Sequence, residues 1–126
     1  MNIETEEQIK AYDNACKSLL ELPKIRFAGI ISNMGRLIAG KFKEGVTSYL
    51  DDKQDGMAYM QFALEVFLRE EYKDKLGEVD YVLSKRKKIS VISIPKKKHL
   101  ILISAEPDAD VDAIFKETHK VFDPLL

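Results

Sequence analysis

Ile25-Arg26-Phe27-Ala28-Gly29-Ile30-Ile31-Ser32 and Leu100-Ile101-Leu102-Ile103 decide the fold. In the first stretch the side chains alternate, with Ile25, Phe27, Gly29 and Ile31 on one face and Arg26, Ala28, Ile30 and Ser32 on the other. Both faces are apolar at the centre, and the second stretch is apolar without any alternation. Strands of that kind are covered on both sides, so the two belong at the middle of a sheet with helices on each face. Outward from them, Asn33-Met34-Gly35 supplies a turn with a glycine free to take positive φ, and the chain returns as a second strand over Arg36–Phe42. Gly40 and Lys41 weaken that strand and suit a sheet edge. Val79–Ser84 and Ile89–Ile94 complete five strands, joined by Lys85-Arg86-Lys87-Lys88 and Pro95-Lys96-Lys97-Lys98, short enough for hairpins. Placing the two most apolar strands side by side gives the order 2-1-5-4-3.

Three helices frame these strands. Thr5-Glu6-Glu7-Gln8 reads as a capping box, followed by the apolar stripe Ile9, Tyr12, Cys16, Leu19 and Leu20, which Pro23 brings to an end. Asp51 or Asp52 caps a long helix that is expected to reach Leu76, with Gly77 as its C-terminal cap. Pro107 and Asp108 open a last helix with Val111, Ile114, Phe115, Thr118 and Phe122 on its buried stripe. The expectation is an α+β domain spanning residues 1–126, a three-layer α/β/α sandwich around an antiparallel sheet. The long helix takes one face and the terminal helices the other.

Composition narrows the function. The chain has 126 residues, 45% hydrophobic and 33% charged, a globular composition rather than that of a disordered tail. Twenty basic residues against 21 acidic ones leave a net charge of −1, which excludes a uniformly basic nucleic-acid wrapper. A lone cysteine, Cys16, excludes an internal disulfide. No apolar run approaches the ~20 residues of a membrane span. The acidic start Met1-Asn2-Ile3-Glu4-Thr5-Glu6-Glu7 is unlike a signal peptide, so a cytoplasmic location without membrane insertion is expected.

The long helix is apolar on two stripes. Met57, Met60, Leu64, Phe67 and Leu68 form one, which persists into Tyr72 and is therefore assigned to the sheet. Tyr59, Phe62, Ala63 and Val66 form the other, which gives way to Arg69, Glu70 and Lys73 like an apolar interface centre with a charged rim. A helix apolar all round is buried all round, and in so short a chain the second cover is expected from another copy. The dimer interface is thus expected at Tyr59, Phe62, Ala63, Val66 and Arg69, extended by Val79 and Tyr81 of the uncovered edge strand.

Motifs for chemistry are weak. Gly35-Arg36-Leu37-Ile38-Ala39-Gly40-Lys41-Phe42 nearly matches a phosphate-binding loop, but Phe42 replaces the hydroxyl that would hold Mg²⁺, and the segment lies in a hairpin. Asp51-Asp52-Lys53-Gln54-Asp55-Gly56 fails as a calcium loop because Lys53 takes a ligand position and Phe62 stands where a glutamate is needed. Cys16 reads as a core residue, and His99 and His119 have no local partner for metal or nucleophilic chemistry. No cofactor or enzymatic activity is expected. Lys85, Arg86, Lys87 and Lys88, with Lys96, Lys97 and Lys98, form basic clusters at opposite ends of one strand, without the interleaved aromatics of a nucleic-acid binder. They read as solvated hairpin tips, and Lys85, Arg86, Lys87, Lys96, Lys97 and Lys98 as the docking residues for an acidic partner if one exists.

The order helix, two strands, helix, three strands, helix resembles the Roadblock/dynein light chain family, within the wider profilin-like and longin-like group. Arg86-Lys87-Lys88-Ile89-Ser90-Val91-Ile92-Ser93-Ile94-Pro95 and Ile103-Ser104-Ala105-Glu106-Pro107-Asp108 are similar to stretches of small archaeal proteins of unassigned function. The resemblance implies a dimer with long helices paired across a two-fold axis, acting as a platform for a small Ras-like GTPase or a larger assembly. The alternative is a profilin-like sensor holding a small molecule between sheet and helix, for which the central strands offer mainly Ser32 and Ser104.

Overall fold

The computed structural model describes residues 4–126; Met1-Asn2-Ile3, where the acidic N-terminus begins, lie outside the described residues. Helix α1 (Glu6–Leu20) starts on the expected capping box, with Thr5 Oγ1 accepting from the Gln8 N–H at 3.1 Å and Gln8 Oε1 accepting from the Thr5 N–H at 2.8 Å. Strands β1 (Ile25–Ser32) and β2 (Leu37–Phe42) form a hairpin whose turn uses Gly35 at φ +87°. Helix α2 (Asp52–Arg69) is capped by Asp51, whose carboxylate accepts from the Gln54 N–H at 2.8 Å. Beyond a 3-10 turn (Glu70–Tyr72) and the short α3 (Lys73–Leu76) come β3 (Val82–Lys85), β4 (Ser90–Lys96), β5 (His99–Ala105) and α4 (Val111–Phe122).

The sheet runs β2-β1-β5-β4-β3 with every neighbouring pair antiparallel, the order expected from the two doubly apolar strands. Ile30, Ile92, Ile101 and Ile103 pack on one face against Leu19 of α1 and Ile114 and Phe122 of α4. Phe27, Ile31, Leu100 and Leu102 cover the other face beneath α2. The result is the three-layer α+β sandwich.

Four local expectations need correction. The register of β1 shifts between Ile25 and Phe27, which carries Ile25 to the α1/α4 side with Ala28 and Ile30. The long helix stops at Arg69 rather than Leu76, although Gly77, at φ +88°, does end α3 and donates its N–H to the Lys73 carbonyl at 2.8 Å. Strand β3 begins at Val82, which pairs with Ser93; extending it to Asp80 would set it opposite Pro95, which has no N–H to donate. Helix α4 begins at Val111 because Asp110, accepting from the Ala113 N–H at 3.1 Å, is the cap; Asp108 instead pairs with Lys24 at 2.6 Å.

Candidate interaction surface

The two stripes of α2 have different fates, and they are the reverse of the sequence expectation. Ala63 and Val66 are buried, and Tyr59 and Phe62 lean on the sheet against Phe27, Ile31, Leu100 and Leu102. The Tyr59 ring lies 5.9 Å from that of Phe27 and nearly parallel to it, and burial pushes its hydroxyl up to about 12. Small Ala63 and β-branched Val66 let the helix approach a sheet as closely as they would another helix. Met57, Met60, Leu64, Phe67 and Leu68 face outward, from 54% exposed at Met57 to 73% at Phe67. Tyr59, Phe62, Ala63 and Val66 are therefore core residues. Tyr72, which extends that stripe beyond the end of α2, is itself exposed and gives the stripe no hold on the sheet. Arg69 is exposed at the end of the outward row. Val79 and Tyr81 precede β3, and the Tyr81 ring stands 5.2 Å from Phe115 of α4, on the opposite side of the sheet.

The outward row borders an apolar groove of about 760 Å³ between α2, the β1–β2 turn and the β4–β5 turn. The β1–β2 turn presses on the helix: a Cβ on Gly35 would lie 2.6 Å from Met60 Cα. Only glycine fits there. The contact brings Met34, 79% exposed, to the same groove as Met57 and Met60. Lys97 and Lys98 of the β4–β5 turn form its basic rim, and His99 and Leu100 continue the wall. Sequence reasoning missed this groove because three segments distant in sequence build it.

Behind the groove, His99 Nε2 stands 3.3 Å from Glu4 Oε1, while Arg36 donates to Glu4 Oε2 at 3.3 Å. A hydrogen bond from its own backbone amide, then those of His99 and Arg36, hold the Glu4 carboxyl below the usual carboxylate range. His119 Nδ1 lies 3.0 Å from Asp123 Oδ1, which also takes the Lys96 ammonium. The Lys96 hydrogen bond, followed by that of His119, lowers the Asp123 carboxyl. Burial pushes the Cys16 thiol up to about 12, with Asp13 adding to the effect, so it is no ready nucleophile. Each histidine is engaged with one carboxylate, and neither has Cys16 as a partner.

Of the basic residues, Lys85 donates to the Pro107 carbonyl and Lys96 binds Asp123, whereas Arg86, Lys87, Lys97 and Lys98 are exposed. Strand β4 separates the two groups, so they form no common patch in one copy. The Gly35–Phe42 segment is a turn and an edge strand, and Asp51–Gly56 is the cap and first turn of α2. Among the described residues no three His, Cys, Asp or Glu are grouped to hold a metal, and no helix is long and apolar enough to cross a membrane.

The fold is similar to that of a Roadblock/LC7 domain from Streptomyces avermitilis, at 14% identity and TM-score 0.73 over 90% of this chain and 92% of that one. The gliding protein MglB of Thermus thermophilus is similar at 11% identity and TM-score 0.80, over 98% and 91%; MglB in a tetrameric arrangement gives TM-score 0.81. Profilin of Schizosaccharomyces pombe is similar at 16% identity and TM-score 0.62, over 90% and 95%. No curated protein matches the chain in sequence. The fold is thus Roadblock-like, in the wider profilin-like group. Residues 4–123 match the model of a family of unknown function, DUF6659, and the chain belongs to that family.

Proposed function

We propose that this chain is a non-enzymatic regulatory module of one Roadblock-like domain that pairs with a second copy through the outward row of α2. One observation carries the reading: Met57, Met60, Leu64, Phe67 and Leu68 form an exposed apolar row on the chain's longest helix. Such a row on a monomer in water marks an interface. A second copy is the occupant that the row itself favours, because a two-fold axis across α2 would set the same apolar positions against one another. The tetrameric arrangement of MglB lends support. The engaged histidines and the buried Cys16 favour binding over catalysis. A small Ras-like GTPase as client follows from the family resemblance alone, and a cytoplasmic location accompanies that reading. Capture from native lysate in the presence of GTP or GDP tests the client. Recovery of no GTPase in either state removes it.

Sedimentation tests the pairing. The wild type is expected to be a dimer at tens of micromolar, and Leu64→Glu with Phe67→Glu a folded monomer with the same far-UV spectrum. A monomeric wild type overturns the reading. The groove favours a second one, a small-molecule sensor, since its size is that of a ligand pocket. The polar groups expected to serve a sensor lie elsewhere: Ser32 Oγ accepts from the Met34 and Arg36 N–H groups of the turn, and Ser104 is buried on β5. Melting curves with an apolar carboxylate such as laurate distinguish the two. A shift abolished by Leu64→Glu would favour the sensor.

A further inference from the structure

Three methionines line the groove beside the outward face of α2. Met57 and Met60 lie one turn apart on the helix, and Gly35, locked against the Met60 backbone, carries Met34 to the same groove. All three are more than half exposed. No other described methionine exists in the chain. The remaining apolar residues of the row, Leu64, Phe67 and Leu68, are inert to mild oxidants. The chain's one thiol is buried and its proton tightly held, so Cys16 does not compete for peroxide.

We propose that Met34, Met57 and Met60 are a peroxide-sensitive modification site whose oxidation switches off the self-association proposed above, on which this inference rests. Each thioether sulfur takes one oxygen from a hydroperoxide, giving a sulfoxide and water (or the alcohol); sulfur is oxidised and the peroxide reduced. The sulfoxide is polar and a strong hydrogen-bond acceptor. Pairing two copies would carry up to six of them into an apolar seam, where each gives up its hydrogen bonds to water. In the dimer the sulfurs are covered, so the reaction draws on the monomer in exchange and traps it there. Because the sulfoxides face solvent on the monomer, the fold itself is untouched. Methionine sulfoxide reductase chemistry makes the switch reversible.

The test uses the whole chain, dilute hydrogen peroxide and sedimentation before and after treatment, with peptide mass spectrometry to place the added oxygens. The expected result is oxygen on Met34, Met57 and Met60, a dissociation constant raised at least about tenfold and an unchanged far-UV spectrum. Treatment with sulfoxide reductases restores the dimer. The variant Met34→Leu, Met57→Leu, Met60→Leu serves as its own reference: its dissociation constant, measured before treatment, should not change after the same peroxide dose. Oxidation should also slow as protein concentration rises through the dissociation constant. An oxidised wild type that still pairs with unchanged affinity overturns the switch and leaves the pairing intact. So does a leucine variant that dissociates equally, since the lesion then lies elsewhere. A wild type that is monomeric before any peroxide overturns the pairing, and the switch with it.

Discussion

At Gly35 a single hydrogen decides how the β1–β2 turn meets α2. Its φ of +87° and the 2.6 Å that would separate a Cβ from Met60 Cα oppose any side chain, and the neighbour is backbone that cannot swing aside. Gly35→Ala is therefore expected to cost about 2–4 kcal/mol in urea unfolding, combining backbone strain with a displaced turn. A cost below ~0.5 kcal/mol would mean that turn and helix are not in contact. Glu4 makes a second residue-scale prediction. Its folded-state pKa is lowered, so its contribution is complete above the ordinary carboxylate range and is lost as pH falls through the lower folded value. Glu4→Gln should weaken the fold at pH 7 and flatten the loss of stability as pH falls below the ordinary carboxylate range, leaving the part that Asp108 and Asp123 contribute in the same direction. An unchanged acid limb would show that the Glu4 contacts with His99 and Arg36 carry no stability.

Two phenylalanines, Phe62 on the sheet side and Phe67 on the outward side, distinguish the faces of α2. Phe62→Ala should cost about 3 kcal/mol, the low end for a large aromatic that is only partly buried, while Phe67→Ala, on the exposed row, should change the monomer by less than ~0.5 kcal/mol. A larger cost at Phe67 than at Phe62 would put the outward row back against the sheet. The reversal shows where the sequence stops being informative. Alternation, doubly apolar strands and capping boxes are local, so β1, β5 and the starts of α1 and α2 could be read from single segments. Sheet order followed, because two strands covered on both sides must occupy the middle. Which of two apolar stripes faces inward is not local. It depends on the shape of the sheet beneath, and hydrophobicity alone cannot rank Ala63 and Val66 against Leu64 and Phe67. Tyr72 continues the outward row past Arg69 and is exposed with it, so the length of a stripe does not mark the face that meets the sheet. Helix α4 was legible for its stripe but not for its start, since Asp108, Asp110 and Asp112 all suit an N-terminus and only Asp110 caps it. The groove needed three segments to meet, and no pattern within any one of them announces it.

At the scale of the molecule, two surfaces compete to hold a partner, and salt tells them apart. The outward row of α2 is apolar, so association through it depends on removing that row from water. The hairpin tips carry Arg86, Lys87, Lys97 and Lys98 exposed, and association through them would depend on charge. At 1 M NaCl the screening length falls to about 3 Å, which erases contacts of the second kind and leaves the first. Sulfate goes further and strengthens apolar association by its exclusion from the surface. Self-association should therefore survive 1 M NaCl with a dissociation constant changed less than about threefold, and tighten in ammonium sulfate. Lys97→Gln with Lys98→Gln should leave pairing unaffected and shift stability by less than ~0.5 kcal/mol, since neither side chain is tied to a carboxylate as Lys96 is. Dissociation in salt, or in the glutamine variant, would move the interface from α2 to the hairpins. Because α1 and α4 already cover one sheet face and α2 the other, each copy has a complete core of its own. The monomer released by Leu64→Glu with Phe67→Glu should accordingly unfold cooperatively, at a melting temperature independent of concentration, whereas that of the wild type should climb as the protein is concentrated. A wild type whose melting temperature ignores concentration would place the row of α2 outside any self-interface.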